Sequence, residues 1–162
     1  MAWSASGGMR QFFTDYFGNT NAFWTPALPN LDLETHKVAL FGSGVTPDFD
    51  ATAAASQYGA GGTWTTGNES SGANYTAGGT LLLSTTLSNV AGGITMWDAA
   101  DTAWTTVTLT NTQGCLIYAD ALTSPVVDQG IIAVYFGGNF STTAGNFTIQ
   151  WSANGLYRDD NA

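Results

Sequence analysis

From His36 onward the chain alternates apolar and polar residues mostly with period two. The last run is the cleanest: Phe147, Ile149 and Trp151 fall on one face, and Asn146, Thr148 and Gln150 on the other. That spacing predicts a half-buried strand over Asn146–Trp151. Gly130–Phe136 differs, because Ile132, Val134 and Phe136 fill one face while Ile131, Ala133 and Tyr135 fill the other. A strand apolar on both faces is covered on both sides. Further strands are expected at His36–Phe41, Thr80–Leu87, Ile94–Trp97, Trp104–Thr110 and Gly114–Ala119. Short strands at this spacing predict a mainly β chain of about seven strands, a β-sandwich or Greek-key barrel.

The period changes in two places. Met9, Phe12, Phe13, Tyr16 and Phe17 recur at i, i+3, i+4, i+7 and i+8, one face of a short N-terminal helix. Gly18 and Asn19 end it. Pro26 and Pro29 then prescribe an extended segment, with Phe23 and Trp24 just before it. One helix this short must dock on something. It either covers an end of its own β domain or reaches a neighbouring subunit, and the pattern leaves both open. The second change is Thr46-Pro47-Asp48, a helix start with Thr46 as N-cap, running to about Tyr58 and stopping at Gly59. The expected organisation is an aromatic arm over 1–35, a β domain over 36–156 and a solvated acidic tail over 157–162. Deleting residues 1–30 is expected to leave a folded β domain.

Charge narrows the functional classes. The 162 residues hold three Lys and Arg (Arg10, Lys37, Arg158), one His and twelve Asp and Glu, for a formal net charge of −9. Three scattered cations cannot neutralise a run of phosphates, so nucleic acid is not an expected partner. No apolar stretch reaches membrane-spanning length, so a membrane is not one either. No basic n-region with an apolar core opens the sequence, and the single cysteine forbids an internal disulfide; both predict a chain made and folded in a reducing cytoplasm. Edge strands of soluble sheets are usually guarded by lysine, and this chain has one. Either loops, bulges and the arm cover its edges, or a neighbouring chain does.

The residues that could carry chemistry are few. His36 stands alone at a strand start and reads as half-exposed; no cluster of ligands suggests zinc or another cofactor. Cys115 lies in an apolar run and reads as core. Asp98 and Asp101 form the best carboxylate pair, for calcium or for glycosidic acid and base, but a turn with aspartates accepting backbone hydrogen bonds is the stronger reading. No catalytic set emerges, and the chain is expected not to be an enzyme. Six tryptophans are present. Trp151 reads as core, while Trp64 in a Gly/Thr loop and Tyr75 are the aromatics expected to be exposed. Met9, Phe12, Phe13, Tyr16, Phe17, Phe23 and Trp24 are the candidate interface anchors.

Four stretches carry a resemblance: Lys37–Phe41; Tyr75–Gly79; Asp98–Trp104; and Phe136-Gly137 leading to Gly145–Trp151. Over roughly residues 36–156 the chain resembles the head decoration or minor capsid proteins of tailed phages of actinobacteria, some relatives of which carry tail-protein labels. The resemblance implies a non-enzymatic β-rich virion protein, bound to the major capsid protein on the capsid surface and self-associating as a homo-oligomer, a trimer by analogy. Two alternatives stand beside it: a tail structural or accessory subunit, and a carbohydrate-binding β-sandwich module displayed on the virion.

Overall fold

The computed structural model describes residues 3–9, 31, 35–51, 53–59, 62–90, 94–123 and 126–160. Phe12, Phe13, Tyr16, Phe17, Phe23 and Trp24, and with them the expected N-terminal helix, lie outside the described residues. The described residues are mainly β, 53% of them in strands with almost no helix. Among the described residues eight strands and one helical turn follow in order: β1 (Gly7–Gly8), β2 (His36–Gly42), α1 (Ala53–Ser56), β3 (Thr80–Leu81), β4 (Thr86–Val90), β5 (Ile94–Asp98), β6 (Thr102–Ala119), β7 (Gly130–Ile149) and β8 (Tyr157–Asp160). They form two antiparallel sheets, β1-β7-β6-β2-β3 and β4-β5-β8.

The main departure from expectation is that four predicted strands are two long ones. β6 spans 18 residues and β7 spans 20, and they pair from Thr102↔Ile149 to Tyr118↔Gly130. Bulges explain why the pattern reads as broken. On β6 the inward residues run Trp104, then Val107 and Leu109, then Thr112, so their parity flips twice. Register shifts fall in the same intervals, where Thr106 and Asn111 adopt φ of 53° and 54°. An inserted residue swaps the faces of everything beyond it. Polar side chains across the ladder take up the displaced amides. Thr106 N–H donates to Asn146 Oδ1 (3.4 Å), Asn111 N–H to Ser141 Oγ (3.0 Å) and Ala144 N–H to Thr108 Oγ1 (3.0 Å).

Described residues near both termini join the fold. Trp3 and Met9 are buried, and β1 pairs with β7 at Gly7↔Ala133 and Gly8↔Ile132. Deleting residues 1–30 would therefore strip β1 and two core side chains, which the expectation of a separate arm did not foresee. Tyr157–Asp160, expected as tail, pairs with β5 along Ile94–Trp97. The helix expected from Thr46 to Tyr58 shrinks to α1, one turn, after Asp48 Oδ1 accepts the Asp50 amide at 3.0 Å. That bond closes a turn rather than a helix N-terminus.

Candidate functional site

The core places several predicted residues, and most of them turn inward. His36 is 1% exposed, set edge-on to Trp97 of β5 at 5.0 Å between ring centroids. Neither ring nitrogen has a hydrogen-bond partner, and burial lowers its pKa from 6.5 to about 4. It is not the half-exposed residue its strand-start position suggested, because β3 and β5 close over it. Trp64 is fully buried, not exposed: its indole packs edge-on between Phe41 at 5.1 Å and Trp3 at 5.7 Å. The glycines and threonines around it leave it the one large apolar group of its loop, and it fills the core. Met9, one of the candidate anchors, is 1% exposed and packs in the core of its own chain. Cys115 is buried, and burial raises its thiol pKa. Asp98 accepts the Ala99 amide at 2.9 Å and Asp101 the Trp151 amide at 3.0 Å, both as turn residues do. Among the described residues no group of three or more His, Cys, Asp and Glu could hold a metal ion.

One buried polar cluster was not anticipated. Glu69, 8% exposed, is the lone charged residue between Asp50 and Asp98. Its Oε2 accepts the Tyr58 hydroxyl at 2.7 Å, its Oε1 accepts the Tyr75 hydroxyl, and both oxygens face the Gly78 amide at 2.9 and 3.1 Å. Tyr75 is thus half-buried with its hydroxyl engaged, accepting also the Leu40 amide at 2.8 Å, and is not a free surface aromatic. Tyr118 stacks on Tyr58 at 4.4 Å and donates to the Gly78 carbonyl at 2.9 Å. Burial first, and Glu69 second, raise the pKa of Tyr58 and Tyr75. A buried carboxylate is costly unless its lone pairs are filled, and here neutral donors fill them. With Ser70 N–H donating to Leu40 O at 2.7 Å, the cluster fastens the 69–79 loop along the edge of β2. Gly79 permits this approach: at φ +73° a Cβ would lie 1.8 Å from the Val38 carbonyl oxygen. The arrangement is structural. The signal for it was a single carboxylate set between tyrosines in an uncharged stretch.

Among the described residues an open apolar surface lies on β7. A cleft of about 480 Å³ opens between Gly7–Gly8, β7 and the segment leading into β8, with Val134, Phe136, Ile149, Trp151, Leu156 and Tyr157 among its lining residues. A second hollow of about 230 Å³ continues from it along Phe136, Phe140 and Phe147. Phe136 meets Phe140 and Phe147 at 6.2 and 6.0 Å, and Phe140 is 47% exposed. Trp151, expected in the core, is half-buried at the rim, its indole N–H donating to Thr102 Oγ1 at 3.1 Å. Neither β6 nor β7 contains a charged residue, and the outward side chains around the hollows are Asn, Ser, Thr and Gln.

Comparison of the chain with protein-family models, curated proteins and solved structures gives no match.

Proposed function

We propose that this chain is a virion structural protein that binds the assembled major capsid lattice of a tailed phage and decorates or reinforces it without catalysis. The observation that carries the reading is the uncharged β6–β7 surface with its open apolar hollows around Phe136, Phe140 and Phe147. Apolar clefts rimmed by neutral polar groups are what partner surfaces bury. The resemblance supplies the identity of the partner, a capsid protein, and the location, the capsid surface. In this reading the two sheets stack as a β-sandwich, supported by the packing of Trp97 on His36 across them. Phe12, Phe13, Tyr16, Phe17, Phe23 and Trp24 are further anchors to the shell or to neighbouring copies. Individual contacts of this kind are modest, and many symmetric copies act together.

The test is co-sedimentation of purified protein with undecorated capsids. Phe140→Ser is expected to keep the wild-type melting temperature and weaken binding at least about tenfold. Full occupancy by that variant would overturn the assigned surface, and no binding by the wild type would overturn the function. Imaging of whole particles separates a head location from the tail alternative. A second reading, carbohydrate binding, is favoured by one observation: Phe136, Trp151 and Tyr157 line the cleft beside Gln150 and Ser152. Titration with host cell-wall polysaccharide decides it, and silence at millimolar concentration removes it.

A further inference from the structure

The sheets have four outermost strands, and they are guarded unequally. β1 is two glycines long, and the Phe49 ring stands 3.1 Å from where a Gly7 side chain would begin. β8 carries Arg158, Asp159 and Asp160 in its four residues. Charges on an edge deter a strand from adding there. Among the described residues β4 has no such guard, while β3, like β1, is only two residues long. β3 and β4 come from one stretch, Thr80–Val90, and no charged residue occurs anywhere from Ser70 to Trp97. Only residues 82–85 separate the two strands, so the end of β3 and the start of β4 lie close together. The same stretch displays Leu81, Leu83 and Val90 at 46%, 60% and 38% exposure.

We propose that β4 is a self-association edge, on which a second copy of this chain adds its own β4 antiparallel across a two-fold axis at Ser88. The occupant follows from charge and from symmetry. Copies with a net charge of −9 repel wherever their acids meet; β3 and β4 themselves carry no acid, and Asp98 on β5, opposite Thr86, stands one strand back from the open edge. A strand edge is self-complementary in its backbone donors and acceptors, as an isologous interface requires. The register about Ser88 sets Thr86 opposite Val90 of the second copy, and Leu87 opposite Asn89. The outward Thr–Val pairs are β-branched, which suits cross-strand packing. Five residues of strand fall short of the ~800 Å² per partner of a stable interface, so the pair must also cover Leu81 and Leu83, which the short connection places alongside. This goes beyond shell binding: it uses a different face and a different partner, and it stands or falls without a capsid.

Sedimentation equilibrium of the full chain is expected to show a dimer, or a multiple of one, at about 100 μM. Ser88→Lys is expected to weaken the association at least about tenfold, with thermal unfolding unchanged. Ser88→Cys locates the axis. Native Cys115 is buried, so the new thiol is the reactive one; oxidised glutathione should convert S88C to covalent dimer far faster than Thr143→Cys on exposed β7. A monomeric wild type, an S88K variant that associates as well as wild type, or S88C dimerising no faster than T143C would each overturn the proposal. Phe140→Ser should leave the association intact, which keeps failure here distinct from failure of shell binding.

Discussion

The β6–β7 ladder is one pair of strands in two environments. Between Thr112 and Ala119 every residue of β6 is buried, flanked by β2 on one side and by the start of β7 on the other. Between Ala103 and Asn111 the same strand is buried only at Trp104, Val107 and Leu109, and β2 no longer accompanies it. β7 shows the same change, from buried Gly130–Ala133 to largely exposed residues beyond Phe136. The difference teaches that a continuous ladder need not mean a continuous role. The first half is held by what it buries, and the second is free to be covered by something else. Bulges at Thr106 and Asn111 let the exposed half bend without breaking the pairing.

The comparison can be broken most forcefully in the buried half. Leu116→Ala removes a fully buried side chain and is expected to cost about 2–5 kcal/mol of stability, read by urea unfolding. A loss under about 1 kcal/mol would mean that this half is not the anchor. His36, which pairs with Ala119 at the end of the buried half, gives a second probe. The unfolded chain takes up a proton near pH 6.5 that the native ring accepts only near pH 4. Stability is therefore full above pH 6.5 and falls as the pH drops toward 4, by about 3 kcal/mol in all. His36→Leu should flatten the denaturation midpoint between pH 6.5 and 5, where few other groups titrate. A slope unchanged in the variant would assign the effect elsewhere. Thr106→Gly tests the bulge: relieving a β-branched residue of positive φ is expected to stabilise by about 1 kcal/mol. Destabilisation would show that the threonine side chain, not the backbone, holds the bend. Smallest of all, Phe140→Ser in the open half should change stability by no more than about 0.5 kcal/mol, while weakening the proposed shell binding.

The legible parts of the sequence were those with an unbroken period. Phe147, Ile149 and Trp151 face inward relative to exposed Asn146, Thr148 and Gln150, as alternation requires. Cys115 and its apolar neighbours are core. The length of β6 and β7 was not legible, since each bulge flips the parity that period-two reading depends on. Trp64 and His36 misled for a shared reason. Their neighbours in sequence are small or polar, and what buries them is remote in sequence: Trp3 and Phe41 for one, Trp97 for the other. β8 was hidden because Arg158, Asp159 and Asp160 look like solvent-borne tail, whereas charge is also how a strand at a sheet edge stays alone. For the proposed binding surface the sequence offered aromatics without position. Of the two singled out as exposed, one is buried and the other holds Glu69, and the hollow is built from Phe136, Phe140 and Phe147 instead.

The absence of charge along β6 and β7 has a consequence for where such a protein can work. Ion pairs weaken as dissolved salt shortens the reach of charge, to roughly 10 Å at 0.1 M and 3 Å at 1 M. A joint made by this hairpin has no ion pair of its own to lose. Excluded salts such as sulfate strengthen the burial of apolar surface. A particle fastened by this face would keep its fastening from fresh water to brine, while contacts built on the acidic remainder of the chain would come and go with the medium.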